Sequence, residues 1–482
     1  MTPARDAGRG VDRWVGDTVA AAVRSHHTRR LARLGKHPLA PVPGGWAEDA
    51  PPPRDGNRFE VLIDGEQALT RMVEEMRRAT AFIHLSGWFM SPDFVLQDGP
   101  TPVVLRNLLA ELAQRVDVRV LLWAGAPVPV FHPSRRTVCK VRDELLRAGP
   151  IACALDKHER PLHCHHEKTI VVDGRVAFVG GIDLTAMAGD RRDSQRHPPR
   201  ADVGWHDVAS VAEGPVVADV AAHFALRWRG VTGEHLPSVP PPPAAGGSTV
   251  QLVRTVPEHT YPGLERGSFG ILETYARAIR SARELIYLES QYLWSPEIAA
   301  LLADKLRHPP SDRFRVLIVL PGKPYGGADD TRGALAELIA ADAGAGRVLA
   351  CALYAPAGPV ADLIYVHAKL AVIDDRVLIV GSANLNDHSM FNDTEAALVT
   401  DDAELAAGTR RRLWAEHLEC GEDDVRGDPA DLIDGRFWPR AQEQFERRRQ
   451  GLPMTHRLSR LDGVSLHSAR LLGPLQGLIV DG

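Results

Sequence analysis

The feature that most constrains this chain of 482 residues is a polar pattern that occurs twice, roughly two hundred residues apart. The first copy runs from His165 to Asp183, and the second runs from Val366 to Asn384. Each copy has His-x-Lys, four further residues and then Asp, which gives His166, Lys168 and Asp173, and again His367, Lys369 and Asp374. A duplicated pattern of this kind predicts one active site built from two similar halves.

The spacing predicts that the polar residues of each copy share one face of a β-hairpin. Side chains alternate faces along a strand, so the His and the Lys of each copy point the same way. Thr-Ile-Val-Val and Leu-Ala-Val-Ile follow the two lysines and favour strands, and Asp173-Gly174 is a strong hairpin turn. The returning strands carry Gly181 and Asp183 in one copy, and Ser382 and Asn384 in the other. Imidazole, ammonium, hydroxyl and amide groups on one face suit a phosphate.

Both motifs, together with four further segments, resemble the phospholipase D superfamily and in particular its eukaryotic-type branch and bacterial relatives. The resemblance covers roughly residues 55–420. The additional segments are Gly180–Leu184, Trp205–Val208 followed by Gly214-Pro215 and His223–Trp228, Ile286–Tyr292 and Asn386–Met390.

Strands and helices alternate in both halves, which predicts an α/β fold. We expect two similar α/β/α sandwich lobes with mixed sheets, related by a pseudo-twofold axis, with the active site at their interface. The predicted organisation is an N-terminal helix and lead-in (1–54), a first lobe (55–235), a proline-rich linker (236–248), a second lobe (249–420) and a C-terminal tail (421–482).

The composition indicates which partners and which cellular compartment to expect. The net charge of −5 argues against bulk nucleic-acid binding, and five scattered cysteines favour a reducing compartment. No apolar run reaches the length of a membrane span, and the N-terminus lacks the apolar core of a secretory signal. We therefore expect a cytoplasmic protein that can be peripheral on the inner membrane surface. Residues 11–34 predict a helix that either rests on an anionic membrane or packs on the catalytic body.

The resemblance implies a covalent phosphohistidine, with His166 as the nucleophile and His367 as the general acid and base, although sequence alone does not separate these roles. Lys168 and Lys369 would neutralise the phosphate oxygens, and Gly181, Asp183, Ser382 and Asn384 would complete the phosphate site. No cofactor is expected. Metal binding is not expected either, because the spacing of His158, His163, Cys164 and His165 fits no common zinc-ligand scheme.

Each imidazole also needs an acidic partner that fixes its tautomer. We assign Glu395 to His367 and Asp207 to His166. Asp173 and Asp374 lie at hairpin turns and are interpreted as structural. Glu289 and Gln291 either line the site or belong to a buried strand.

The sequence therefore predicts a phosphodiesterase that hydrolyses the headgroup bond of glycerophospholipids, or exchanges the headgroup with an alcohol. The expected partners are a phospholipid, a water or alcohol acceptor and a peripheral membrane surface, with no nucleic acid. A cardiolipin-synthase-type phosphatidyltransferase shares both motifs and remains an alternative. Two further alternatives are a nuclease or other phosphodiesterase that acts on a different phosphodiester, and a non-enzymatic scaffold or lipid-binding protein.

Overall fold

The computed structural model describes residues 3–127, 132–160, 163–186, 190, 192–194, 204–323, 328–356 and 361–462. The side chains of residues 3–17, 19 and 328–330 lie outside this description.

The first lobe is built on a mixed sheet with the order β1-β10-β8-β7-β2-β5-β6. Its strands are β1 (Arg54–Ile63), β2 (Phe82–Gly87), β5 (Asp117–Trp123), β6 (Ala152–Asp156), β7 (Lys168–Val172), β8 (Val176–Gly180) and β10 (Val208–Glu213). Shorter strands are β3 (Val95–Gln97), β4 (Val103–Val104) and β9 (Gly204–His206).

The second lobe repeats this plan in the order β11-β19-β18-β17-β13-β14-β15. Its strands are β11 (Ser248–Val256), β12 (Ser268–Phe269), β13 (Leu285–Glu289), β14 (Arg315–Val319), β15 (Val348–Ala355), β16 (Asp362–Val366), β17 (Leu370–Ile373), β18 (Val377–Gly381) and β19 (Glu395–Thr400). A final strand, β20 (Leu458–Arg460), pairs antiparallel with β15, so the chain after residue 420 contributes to this sheet.

Helices cover both faces of the two sheets. They are α1 (Pro3–Leu34), α2 (Asp64–Arg77), α3 (Leu105–Leu112), α4 (Arg135–Ala148), α5 (Val216–Thr232), α6 (Gly270–Ser281), α7 (Pro296–Arg307), α8 (Ala328–Asp342), α9 (Ala403–His417), α10 (Pro429–Leu432) and α11 (Trp438–Arg449). Helices α2, α3 and α4 share one apolar cluster with the first sheet, and α6, α7 and α8 share another with the second. Residues of α5, α9 and both sheets form a third cluster between the lobes. The predicted α/β class with mixed sheets is confirmed.

Two strand pairings join the lobes. Strand β1 pairs with β10 over most of its length, but its first residues pair with Ser248 and Val250 of β11. Strand β9 of the first lobe runs parallel to β16 of the second. Residues 236–247 between the lobes form no helix or strand and are mostly exposed. The domain boundaries themselves remain a prediction.

Helix α1 packs on the second lobe through its C-terminal turns. Leu31 belongs to the apolar cluster of that lobe, the His27 ring stacks on Phe391 with 3.8 Å between centroids, and Arg30 Nη2 donates to Glu258 at 2.7 Å. Arg24, Arg29 and Arg33 are exposed on the same helix. The side chains of Val11, Trp14 and Val15, which belong to the predicted amphipathic pattern, lie outside the described residues. No helix within the described ranges combines the length and apolarity needed to cross a bilayer.

Candidate active site

The two repeated motifs form the hairpins β7–β8 and β17–β18, as their sequences predict. Lys168 is the first residue of β7 and His166 lies just before it, whereas His367 and Lys369 both lie just before β17. All four side chains are buried, with 1–5% of their surface exposed. The hairpins therefore bring two imidazoles and two amines into the interior of the molecule.

Each histidine is hydrogen bonded to an acid from the other lobe. His166 Nδ1 lies 3.1 Å from Glu395 Oε1, and His367 Nδ1 lies 2.7 Å from Asp207 Oδ2. Glu395 belongs to β19 of the second lobe, whereas Asp207 lies between β9 and β10 of the first. The pairing predicted from the sequence, His367 with Glu395 and His166 with Asp207, is therefore wrong, although the four residues themselves do form pairs.

The main chain explains why the pairs cross between lobes. The N–H of His166 donates to Thr394 O at 2.9 Å, and the N–H of His367 donates to His206 O at 2.7 Å. Thr394 and His206 immediately precede the two acids. Each motif thus runs beside the segment that carries the other lobe's carboxylate, a contact that reasoning confined to one lobe could not predict.

The lysines lie next to the histidines in both copies. Lys168 Nζ donates to the carbonyl of His166 at 2.6 Å and lies 3.3 Å from Asp183 Oδ2. Lys369 Nζ donates to the carbonyl of His367. These contacts fix each amine within the same face as its imidazole, as the alternation of side chains along a strand predicts.

The small-residue turns hold the two acids in different ways. The hydroxyl of Ser382 donates to the Glu395 carboxylate, and Ser389 Oγ donates to Glu395 Oε1 at 2.6 Å. In the first copy, a Cβ added to Gly181 would lie 2.3 Å from Asp207 Oδ1, so the glycine leaves the space that this carboxylate occupies. The departure from a Ser at Gly181 therefore has a steric reason. Sequence reasoning missed Ser389, although the Asn386–Met390 segment pointed to this region.

Gln291 reaches a predicted phosphate-binding residue, whereas Glu289 has other partners. Asn384 Nδ2 donates to Gln291 Oε1 at 3.2 Å. Glu289 instead binds His206 Nε2 at 2.9 Å and His417 Nε2 at 2.7 Å, and it accepts a hydrogen bond from Tyr287. The carbonyl of His206 accepts a hydrogen bond from the main-chain N–H of His367. This buried cluster therefore helps to position the second motif. Sequence reasoning did not single out His206 or His417 as supporting residues.

Asp173 and Asp374 lie in equivalent turns and make equivalent contacts. The Asp173 carboxylate accepts main-chain N–H groups of Thr80, Ala81 and Phe82 at 2.8–2.9 Å. Asp374 accepts those of Arg283, Glu284 and Leu285 at 2.7–2.8 Å. Each aspartate therefore ties its hairpin turn to the start of the neighbouring strand, β2 or β13.

Burial and the clustered positive charge shift the ionisation of the site. Burial raises the pKa of Asp207 to about 6, although Lys369 opposes the rise. Burial also lowers the pKa of His367 well below its usual value, and Lys369, Lys168 and His166 lower it further. Burial raises the pKa of Asp183, and Lys168 opposes that rise. At neutral pH, His367 is thus a neutral imidazole whose Nδ1–H donates to the Asp207 carboxylate, which leaves the Nε2 lone pair available.

Comparison with known proteins identifies relatives over most of the chain. A family model described as "Cardiolipin synthase, PLD-like domain" matches residues 275–415. Phospholipase D A of Dictyostelium discoideum is 26% identical over 76% of this chain and 36% of its own length. Phospholipase D2 of Bos taurus is 24% identical over 73% of this chain and 50% of its own length. The chain thus spans half or less of the length of these two relatives.

A solved structure shows the same fold. The phosphatidylserine synthase of Haemophilus influenzae Rd KW20 superposes with a TM-score of 0.52 at 12% identity, covering 82% of this chain and 93% of that one. The two His-Lys-Asp hairpins and the relatives named phospholipase D agree with the resemblance seen in the sequence. The predicted resemblance to the phospholipase D superfamily is therefore confirmed.

Proposed function

We propose that this protein is a phospholipase D-type phosphodiesterase that cleaves the headgroup phosphodiester of glycerophospholipids and transfers the phosphatidyl group to water or an alcohol. The observation that carries the proposal is the pair of buried histidines, each with a lysine beside it and an acid from the opposite lobe behind it. One histidine can attack phosphorus while the other transfers protons, and the lysines supply charge for the phosphate oxygens.

In the first half of the reaction, Nε2 of His166 attacks phosphorus and the bond to the headgroup oxygen breaks. His367 gives its proton to that departing oxygen. In the second half, His367 takes the proton of a water or alcohol, whose oxygen attacks phosphorus and breaks the P–N bond. His166 is thereby regenerated, and the product is phosphatidic acid or a phosphatidylalcohol. The assignment of the two roles rests on the resemblance of the first motif to that of the family.

The charge distribution supports the proton-transfer role of His367. Its pKa is lowered by burial and by the positive charges of Lys369 and Lys168. An anionic phosphate bound between the lysines would offset part of that positive charge. The pKa of His367 would then rise when substrate binds, so the imidazole would hold a proton when the leaving group needs one.

The lipid substrate is supported by the relatives, several of which are named phospholipase D. A phosphatidyltransferase of the cardiolipin-synthase type is the second candidate, because the family model over residues 275–415 carries that description. Both activities would use the same histidines and differ in the acceptor.

We also propose a cytoplasmic protein in peripheral contact with the inner membrane surface, supported by the exposed Arg24, Arg29 and Arg33 of α1.

The test is product analysis with vesicles of phosphatidylcholine or phosphatidylglycerol, with and without ethanol. Choline release together with phosphatidylethanol formation would support the phospholipase activity, and conversion of phosphatidylglycerol to cardiolipin would support the alternative. His166→Ala and His367→Ala should each lower turnover by about 10³-fold or more. His259→Asn, which replaces an exposed histidine that belongs to neither motif, is the matched control. Substantial turnover by either alanine variant would contradict the mechanism.

A further inference from the structure

A second cluster of titratable side chains lies beside the catalytic pairs and joins the two lobes. His163 comes from the first lobe, and His388 and Asp393 come from the second. His163 Nδ1 lies 2.8 Å from His388 Nδ1 and 3.4 Å from Asp393 Oδ1, and His388 Nδ1 lies 3.8 Å from the same oxygen. Two nitrogens and one oxygen therefore face a common point.

The dimensions of this triangle suit a small metal ion. Three atoms at these separations lie on a circle with a radius of about 2.0 Å, which matches Zn–N and Zn–O bond lengths of about 2.0–2.2 Å. An ion close to the plane of the three atoms could thus bind all of them without rearranging the main chain. Two imidazoles and one carboxylate are ligands that zinc and related divalent transition metals accept, and they leave a coordination position for water.

The surroundings hold two of these side chains in position. The N–H of Cys164 donates to Asp393 Oδ1 at 2.9 Å, which orients the carboxylate. The ring of Trp294 contacts His388 edge-on, with 5.6 Å between ring centroids. Supporting contacts of this kind are typical of residues that orient metal ligands.

An ion from solvent could reach the cluster through His163, whose side chain is 13% exposed. A surface pocket leads to it, lined by His158, Arg160, His163, Glu258, His259 and Thr260.

We propose that His163, His388 and Asp393 bind one divalent transition metal ion of the zinc type, which fastens the two lobes together beside the active site. This departs from the expectation that no metal is bound. Spacing along the chain could not reveal the site, because His163 lies 225 residues before His388 in sequence. Of the residues considered as zinc ligands from the sequence, His158 and His165 bind Asp156 instead.

The bound ion would act on the geometry of the active site without entering the reaction. Asp393 lies two residues before Glu395, and His163 lies three residues before His166. The ion would therefore fix the relative position of the two segments whose side chains form the His166–Glu395 pair. Without metal, the same three side chains would share protons through hydrogen bonds, and this is the competing arrangement that an experiment must distinguish.

The experiment measures metal on the full chain and needs no substrate, so its outcome is independent of the proposed phospholipase activity. Protein dialysed against EDTA is reloaded with Zn²⁺, and bound zinc is counted by mass spectrometry after removal of excess ion. We expect one tightly bound Zn²⁺ per chain. Zinc should raise the midpoint of thermal unfolding by about 5 °C, and Co²⁺ in its place should give visible d–d absorption.

Two variants and one control decide the assignment. His163→Ala and His388→Ala should weaken Zn²⁺ binding by about 100-fold or more and should abolish the thermal shift. The partly exposed His163 can be removed with little effect on folding, which a metal-free melting curve would verify. His259→Asn removes an imidazole from the same pocket and keeps a residue that tolerates the positive φ of 63°, so it should bind zinc like the wild type. Equal zinc binding by the wild type and His163→Ala, or none in the wild type, would overturn the proposal.

Discussion

At the scale of single residues, the proposed chemistry depends on the acids that bind the histidines of the two motifs. Each carboxylate fixes the ring and tautomer of an imidazole that belongs to the other lobe. The hydroxyl of Ser382 contacts one of these acids, and Gly181 leaves room for the other. The two halves of the site are thus similar in plan and different in the atoms that support them.

The first prediction concerns the crossed pairing. Asp207→Asn keeps the shape of the side chain but removes its charge, so it should disturb the Nδ1 environment of His367 and leave His166 unchanged. Spectra of protein with ¹⁵N-labelled histidine, assigned with His367→Gln, would measure this. The turnover number should fall by about 10³- to 10⁴-fold. A shift at His166 with none at His367 would instead restore the pairing expected within one lobe.

The second prediction concerns pH. Burial raises the pKa of Asp207 to about 6, so this carboxyl group becomes protonated as the pH falls through that value. A protonated carboxyl no longer stabilises positive charge on His367, and kcat/KM should therefore fall below about pH 6. The pH profile of kcat/KM for the wild type and for Asp207→Asn provides the measurement. Asp207→Asn, which has the lower activity, should not show this fall in kcat/KM at acidic pH. The same fall in both proteins would show that another group causes it.

Much of the site could be predicted at this scale because its residues lie within one local pattern. His166, Lys168, His367 and Lys369 follow from the alternation of side chains along a strand. The partners of the histidines could not be predicted, since Glu395 and Asp207 reach them across the interface between lobes. Glu289 resembled a site residue in its sequence context, but its distances to His206 and His417 show a supporting role.

At the scale of secondary structure, the hairpin turns anchor the strands that carry the proposed catalytic groups. Asp173 and Asp374 have φ values of 54° and 53°, in the left-handed region that Asp and Asn tolerate. Their carboxylates each accept three main-chain N–H groups from the start of an adjacent strand. Local sequence was sufficient to identify these turns, but the segments they bind lie about 90 residues earlier in the chain.

The third prediction tests this anchoring. Asp173→Asn and Asp374→Asn keep a residue that tolerates the left-handed backbone but replace one acceptor oxygen with an amide NH₂. Each should lower the free energy of unfolding by about 1–2 kcal/mol. Urea unfolding curves would measure the change, with Asp304→Ala as the control because that aspartate is exposed and bonds only weakly to His308. A loss no larger than that of the control would contradict the anchoring role, as would a large loss of activity in the folded variants.

At the scale of the whole molecule, the lobes are similar in plan but incomplete alone. Each has its own apolar cluster with its outer helices, and a third cluster is shared between them. Strand β1 pairs with both sheets, and β9 pairs with β16. The repeat in the sequence was sufficient to predict two lobes. The parallel β9–β16 contact was not predictable, because β9 has only three residues and its partner lies in the other lobe.

The last prediction follows from this division of the site. Residues 236–247 are mostly exposed and form no helix or strand, so the chain can be cut there without removing a described element. A fragment of residues 1–242 would contain His166 and Asp207, and a fragment of residues 243–482 would contain His367 and Glu395. Each fragment would thus hold a histidine without the acid that orients it. We expect either fragment alone to be inactive, and the two produced together to associate through the shared apolar cluster and recover activity.

Product release from phospholipid vesicles would measure the recovery, and size-exclusion chromatography would show whether a complex forms. The matched control combines the second fragment with a first fragment that carries Asp207→Asn. That fragment still provides the apolar surface and His166, so the complex should form, but it should remain inactive because His367 lacks its acid. Activity of either isolated fragment would show that one lobe can supply both a histidine and its orienting carboxylate, which the crossed pairs exclude. A complex that forms with Asp207→Asn yet turns over normally would place the acid of His367 elsewhere.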